Sequence, residues 1–470
     1  MVYDFRMAHP RAFLVAAFAL VLVSSTQLPA QGIAPSPPLG WNSWDAYGLT
    51  IDETDFRANA TVLAQLREFG WEYAVIDEGW YMQDPFAEKV ATRKYVWDPN
   101  GILIPAVNRF PSSANGAGFK PLADWLHAKG LKFGIHIVRG IPRDVVKQNL
   151  PIAGTTFHAA DAADLNSPCP WDEGNWGVAD NPAGQAYYDS MLRKYAAWGL
   201  DFIKVDCISD HPYRPTEIDQ ITKAIRKTGR PILLSLSPGP TALEHAAEVA
   251  AHAQMWRIAD DHWDVWTSEH KPGASEFPFG TRDAFDRLAK WVPYVGPGSW
   301  PDEDMLPIGY LGPHPGWGNA RQSRFTPDEE KTEFTLWAVT RSPLILGANL
   351  TRLDSYTRSL ITNQTILFID QAASFSRPVD PASLPPGFQN ARVWRATINT
   401  PGARGYAEYF AFFNLDNSPV TLRATWKDLG LDNGKHAYQD AWTMETSKVS
   451  KDVTITLPAH GSTVIEVQQD

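Results

Sequence analysis

The sequence predicts an α/β fold, a (β/α)8 TIM barrel followed by a C-terminal antiparallel β-sandwich, and three observations predict it. Short apolar runs rich in β-branched residues alternate with helical segments up to about Leu346. Past about Phe375 the texture changes to short alternating strands divided by turn signals such as Asp432-Asn433-Gly434. Polar side chains gather at the carboxyl ends of the earlier runs, the edge at which a parallel barrel builds its site. An open doubly wound sheet would use the same alternation, but no Gly-rich phosphate loop follows the first strand.

The barrel elements follow in order. A Pro-rich stretch, Ala34 to Pro38, leads into a first strand near Trp41 to Trp44. Phe56, Ala60, Leu63, Leu66 and Phe69 recur at helical spacing, so Glu53 to Phe69 reads as an amphipathic helix stopped by Gly70. Tyr73 to Glu78 is a buried strand ending in two acids, and Lys132 to Val138 is the third strand, behind a helix over Leu122 to Ala128. A loop from Arg139 to Asn181 is long enough to suggest function. Then come a helix over Gln185 to Trp198 and the strand Phe202 to Asp206. Helices over Pro215 to Thr228, Glu244 to Ala250, Phe285 to Lys290 and Glu329 to Thr340 each precede or separate further strands. Those strands are Pro231 to Ser237, Ala253 to Ile258, Val292 to Val295 and Leu344 to Leu346. In the sandwich, strands are expected over Arg392 to Ile398, Tyr406 to Phe413, Val420 to Trp426 and Val453 to Leu457.

At the amino end, Arg6, His9 and Arg11 precede an apolar run, Ala12 to Val23, and small residues near Ala30. That is the pattern of a secretory signal peptide over residues 1–30, too short to span a bilayer. It leaves the barrel in 31–375 and the sandwich in 376–470, in a secreted or periplasmic protein. In an oxidising compartment Cys169 and Cys207, the two cysteines, can pair, though two are not a disulfide framework. Three Asn-x-Thr sequons, at Asn59, Asn349 and Asn363, matter only in a glycosylating host.

Composition narrows the partners. A net charge of −11 with no long basic run argues against nucleic acid and anionic membranes. The 19 Trp residues fit either a large core or platforms for sugar rings, with the core the more economical reading.

The chemistry lies at the strand ends. Lys204 and Asp206 are two apart on a strand and so share a face, either as a strand-end salt bridge or as a catalytic carboxylate with a cation beside it. Trp44 and Asp45, Asp77 and Glu78, His136, Ser237, Arg257, and Asp302 with Asp304 occupy or follow the other ends. Each has a plainer reading alone, His136 as a core histidine and Trp44 as core, but a barrel brings all of them to one mouth. Two carboxyls across an aromatic-walled pocket suit glycoside hydrolysis, one attacking and one protonating the leaving oxygen. Lys204 would keep Asp206 ionised, and Asp260 or Asp261 would serve as the acid. Two other classes remain open: a divalent-metal site built from Asp260, Asp261, His262 and Asp264 with Asp302 and Asp304, which lacks a common ligand spacing, and a sugar-binding protein without catalysis.

The chain resembles glycoside hydrolase family 27, the α-galactosidase or melibiase family. The resemblance runs from about Pro37 to Gln371. It rests on Gly40-Trp41-Asn42-Ser43-Trp44, Ile76-Asp77-Glu78-Gly79-Trp80, Gly130 to His136, Trp198 to Asp206, Trp256 to Asp261, Pro297 to Leu306 and Arg341-Ser342-Pro343-Leu344. It implies a cofactor-free, metal-free retaining hydrolysis of terminal α-D-galactosyl residues, with Asp206 as nucleophile and Asp261, rather than Asp260, as acid/base. By the same resemblance Trp44 is the wall under the sugar. Asp77, Glu78, Lys204, Arg257 and Asp304 are its polar contacts, while His136 and Ser237 stand where relatives often carry other residues. Asp77-Glu78 departs from the usual pair of aspartates. The longer Glu78 would crowd the hydroxymethyl group of galactose, and some family members that carry Glu there prefer β-L-arabinopyranosides, which lack it.

Overall fold

The computed structural model describes residues 32–87, 93–268, 277–399 and 406–468. The expected signal peptide lies outside the described residues.

Eight parallel strands form the barrel: β1 (Leu39–Asn42), β2 (Tyr73–Ile76), β3 (Lys132–Val138), β4 (Phe202–Asp206), β5 (Leu233–Leu236), β6 (Met255–Arg257), β7 (Trp300–Asp302) and β8 (Leu344–Leu346). The strand order is β7-β6-β5-β4-β3-β2-β1-β8. The seam between β7 and β8 is closed by the extended chain after β7. The Leu306 N–H donates to the Ile345 carbonyl at 2.8 Å, and the Gly347 N–H donates to the Leu306 carbonyl at 3.1 Å.

Two expected strands move. The first lies two residues earlier than its Trp-rich motif suggested, because Trp44 already opens a short helix, Trp44–Tyr47. The seventh is not Val292 to Val295, which is a 3-10 turn over Val292–Tyr294. It is Trp-Pro-Asp at 300–302, whose side chains all turn out buried. Apolarity misled there: the barrel wall accepts a proline because only one of its neighbours is a strand.

Side chains two apart on these strands point inward. Tyr73, Val75, Phe202, Leu233, Met255 and Trp300 fill the barrel interior as one buried cluster. Gly134 leaves room for it, since a Cβ there would stand 2.8 Å from Val75 and 3.1 Å from Phe202. The register sets Gly134 against Phe202 and His136 against Lys204. Above this apolar floor, the next inward positions are therefore polar. Helices such as Glu53–Gln65, Pro182–Trp198 and Pro327–Thr340 cover the outside. The starts of these helices are capped by Asp52, Asn181 and Thr326 respectively, each side chain accepting a first-turn N–H.

The long insert after β3 is structured. Short strands Ile141–Pro142, Ala163–Asp164 and Asn175–Val178 make a small sheet with the last in the centre. The Cys169–Cys207 disulfide is formed and ties this insert to the residue after Asp206. Arg139, the first residue past β3, reinforces the tie. Its Nε donates to the Cys207 carbonyl at 2.5 Å, and its Nη1 donates to Glu217 at 2.7 Å and to Ser167 Oγ at 3.2 Å.

The C-terminal strands are β9 (Phe375–Pro378), β10 (Ala391–Asn399), β11 (Tyr406–Asn414), β12 (Val420–Thr425), β13 (Tyr438–Asp440), β14 (Asp452–Leu457) and β15 (Ser462–Val467). The order β9-β10-β11-β15-β13 forms one antiparallel sheet, faced by the β12-β14 pair, which is the expected sandwich. The sandwich packs on the helix Pro327–Thr340, where Thr332 donates to the His460 carbonyl at 2.6 Å.

Most of the tryptophan is structural: Trp41, Trp71, Trp80, Trp256, Trp300 and Trp337 are among the fully buried side chains. The sequons are structural too. Asn59 is buried and donates to the Tyr47 hydroxyl, Asn349 is buried, and Asn363 caps the helix Gln364–Ala372.

Candidate active site

The carboxyl ends of β1, β2, β3, β4 and β6, with the chain after β7, form one polar mouth. Water reaches it at Asp261, whose side chain is 41% exposed, and at Asp206, Glu78 and Lys204, at 19%, 16% and 13%. Asp77, His136, Arg257 and Asp304 lie buried directly beneath.

On one side, Lys204 Nζ donates to Asp77 Oδ2 at 3.0 Å, and Asn42 Nδ2 donates to the same oxygen at 2.7 Å. The Glu78 N–H donates to Asp77 Oδ1 at 2.8 Å. Burial opposes a charge on Asp77, but Lys204, His136 and these hydrogen bonds hold its carboxyl well below the usual range. Lys204 in turn stays firmly protonated: burial works against it, and Asp77, Asp206 and Asp304 outweigh burial.

Asp206 closes β4. Its Oδ1 accepts the Cys207 N–H at 2.8 Å, and Cys207 itself takes a left-handed backbone (φ 63°). Its Oδ2 lies 3.2 Å from His136 Nε2. Burial would raise this carboxyl, yet His136, by hydrogen bond and by charge, and then Lys204, bring it below its ordinary value. His136 is raised in return: burial lowers it, and Asp77 and Asp206 more than compensate. Lys204 is bonded to Asp77 and acts on Asp206 by charge, while His136, buried beneath the mouth, is the direct partner of Asp206.

Across the mouth, Arg257 Nη2 bonds Asp304 Oδ2 at 2.8 Å and Asp261 Oδ1 at 3.3 Å. Asp260 does not share that position: its Oδ1 accepts the Asp261 N–H at 2.8 Å and so fixes the turn. Asp304 is held at φ 102°, with its N–H on Asp302 Oδ1 at 3.0 Å and its carbonyl accepting from Trp337 Nε1 at 2.9 Å. A non-glycine residue there is strained, and the strain is maintained by these bonds. Burial pushes Asp304 up to about 8 against the pull of Arg257, with Asp261 and Asp302 adding to the push. Asp261 is also raised. Desolvation by the walls of the mouth is the main cause, Asp206 and Asp260 add to it, and Arg257 and Lys204 oppose it.

Trp44 stands half-buried at the rim. Its backbone N–H donates to Asn42 Oδ1 at 2.8 Å, and Gly316 packs against its indole, where a Cβ would stand 2.3 Å from Nε1. Ser237, past β5, joins through its backbone: its N–H donates to the Val205 carbonyl at 2.9 Å and its carbonyl accepts from Ile208 at 3.2 Å. Asp264, weighed above as a metal ligand, is buried with its carboxylate bonded to Arg321 at 2.8 and 2.5 Å. That engagement removes it from the candidate ligand set.

Three contributors escaped the sequence reading. Asn42 sits inside the Gly-Trp-Asn-Ser-Trp motif and could have been found there. Asp172 and Arg93 come from loops without periodicity; Cys169, three residues before Asp172, was the one available signal. Glu78 is near Arg93, whose Nη1 lies 3.9 Å from its Oε1, and feels the charge of Asp172 through space. Burial, then Asp172, push Glu78 up to about 7.

A barrel mouth with one carboxyl lowered and the one across from it raised, ringed by further acids and a tryptophan, has the make-up of an enzyme built for sugars. The comparisons agree with that class. Residues 165–372 match the family described as Alpha galactosidase A, and residues 390–467 match the Alpha galactosidase C-terminal beta sandwich domain. The chain is 41% identical to a GH27 β-L-arabinopyranosidase variant from Geobacillus stearothermophilus solved with arabinose. That match has a TM-score of 0.85 and covers 94% of this chain and 99% of the other. It is 27% identical over 468 residues to Alpha-galactosidase A of Cellvibrio japonicus (strain Ueda107), covering 95% of this chain and 96% of that one. Alpha-galactosidase of Cyamopsis tetragonoloba is 25% identical over 439 residues, with 92% and 86% covered. The chain belongs to glycoside hydrolase family 27, and it is a glycoside hydrolase.

Proposed function

We propose that this is an exported, retaining exo-glycosidase that removes terminal β-L-arabinopyranosyl residues by double displacement. The carrying observation is two carboxyls of one mouth in opposite settings: Asp206, 3.2 Å from His136 Nε2, is lowered, and Asp261, 3.3 Å from Arg257 Nη2 and open to the mouth, is raised by desolvation and by Asp206. Asp206 attacks the anomeric carbon while Asp261 gives its proton to the departing glycosidic oxygen. A glycosyl ester on Asp206 forms and the aglycone leaves. Asp261, now charged, takes a proton from water, which attacks the same carbon and frees Asp206 and the sugar. No metal or cofactor is needed at any step. Arg257 and Asp304 fix Asp261, and Lys204, Asp77 and Trp44 hold the ring.

Glu78 supports the pentose. It reaches one methylene further than the aspartate of α-galactosidases, into the space a hydroxymethyl group would take, and the 41% identical relative is a β-L-arabinopyranosidase. A second reading, α-D-galactosidase, is favoured by the names of the sequence relatives. A sugar-binding protein without catalysis would not need the Asp261 arrangement. The test is hydrolysis of aryl β-L-arabinopyranoside and aryl α-D-galactopyranoside by the wild type. Preference for the first is expected, preference for the second makes the galactosidase reading correct, and binding without turnover removes the enzyme mechanism. Export is supported by the basic and apolar pattern of residues 1–30, and amino-terminal sequencing of the exported protein tests it.

A further inference from the structure

Asp172 lies in the disulfide-tied insert, three residues past Cys169 and hence close behind Asp206. It is 4% exposed. Its Oδ1 accepts the Gly174 N–H at 2.7 Å, but its Oδ2 is buried without a hydrogen-bond partner among the described residues. Three more orphaned atoms belong to its electrostatic neighbours: Arg93 Nε, His136 Nδ1 and the Tyr95 hydroxyl are likewise buried and without a hydrogen-bond partner among the described residues. Buried polar atoms are almost always paired, so four orphans in one neighbourhood mark a place where a ligand completes the bonding. The turn itself is tightly packed: a Cβ on Gly174 would stand 2.5 Å from the Tyr95 hydroxyl and 2.9 Å from Asp172 Oδ1. The missing partner is not an anion, because Glu78, Asp172 and Asp206 would repel it. A hydroxyl, which both donates and accepts, can serve Asp172 Oδ2 and Arg93 Nε together.

Resting on the glycosidase reading above, we propose that Asp172 is a specificity-determining residue of the sugar pocket. Its Oδ2 accepts a hydroxyl hydrogen of the terminal pyranose at the ring edge facing Glu78, and the two side chains together exclude a hydroxymethyl group from that edge. Both carboxyls are pushed upward, by burial first, then Glu78 by Asp172 and Asp206 and Asp172 by Asp206, which suits a pair facing a neutral polyol.

The test uses the full mature enzyme with Asp172→Asn, which keeps the shape, and Asp172→Ala, which opens space; unchanged thermal unfolding certifies each fold. Both variants are expected to lose about 10- to 100-fold in kcat/KM on aryl β-L-arabinopyranoside, the range for a lost hydrogen bond to a charged group. Asp172→Ala should lose less on aryl α-D-galactopyranoside, so the ratio of the two shifts toward galactose by about 10-fold. Equal losses on both glycosides, or no loss, overturn the proposal. If the wild type cleaves neither glycoside, the proposed function fails on its own. Calorimetry with free L-arabinose then decides: weaker binding by Asp172→Asn supports the role, and unchanged binding overturns it.

Discussion

Lys204 and Asp77, 127 residues apart in the chain, form the ion pair under the mouth, with Nζ 3.0 Å from Oδ2. The lysine therefore acts on Asp206 only through space, while His136 touches Asp206 directly. This division predicts how the pH profile responds. Activity requires ionised Asp206, so it rises with pH through the lowered pKa of that group. Removing a cation raises that pKa and moves the acid limb to higher pH. His136→Gln should move it further than Lys204→Met, because His136 supplies both the hydrogen bond and the larger charge effect. Lys204→Met should instead lose at least about 10²-fold in kcat/KM, since it leaves the buried Asp77 carboxylate without its bonded lysine. A larger acid-limb shift in Lys204→Met than in His136→Gln would contradict this division.

Asp261 must carry a proton to protonate the leaving oxygen, so activity should fall as pH rises through its raised pKa. Asp261→Asn removes that group. The alkaline limb should vanish, and kcat/KM on substrates with poor leaving groups should drop roughly 10²- to 10⁴-fold. Rate profiles on a series of aryl glycosides check it, with the smallest loss expected for the best leaving group.

Glu78→Asp withdraws the carboxylate by one methylene. The ratio of kcat/KM on α-D-galactoside to that on β-L-arabinopyranoside should rise about 10-fold or more, the worth of a methylene's space in a shaped pocket. An unchanged ratio would remove Glu78 as a selectivity determinant.

The Cys169–Cys207 bridge closes a loop with a sequence separation of 38. Chain entropy assigns such a closure about 4 kcal/mol. Cys169→Ser should lower stability by that order in denaturant titration. KM should rise as well, since the same bridge carries Asp172 toward Asp206. Arg139→Met, which leaves Glu217 buried beside Tyr188 without its cation, should cost ~3–5 kcal/mol by the same measurement.

Much of this architecture was legible in the residues. The β/α rhythm located seven of the eight barrel strands, because a strand buried on both faces must be a short apolar run. It failed at β7, where Trp300-Pro301-Asp302 has neither β-branching nor alternation and is held by its neighbours on the β6 side. Two-residue spacing correctly set Lys204 and Asp206 on one face, but spacing along one strand says nothing about partners on the next. The pairing of Lys204 with Asp77 and of Asp206 with His136 comes from the parallel register, in which His136 lies opposite Lys204. Asp172 and Arg93 were invisible because irregular loops carry no period, and only a disulfide and packing bring them to the mouth.

The central claim is that Asp206 bonds covalently to the sugar. In a 2-deoxy-2-fluoro glycosyl fluoride of the preferred sugar the 2-fluorine slows both steps while the fluoride leaving group keeps the first one fast, so the ester should accumulate. Peptide mass spectrometry of the trapped enzyme should place the added sugar mass on Asp206, and Asp206→Asn should take up no label and show no turnover. Label on another carboxylate, or an untrapped enzyme whose first-formed sugar has the inverted anomeric configuration by NMR, would contradict the account.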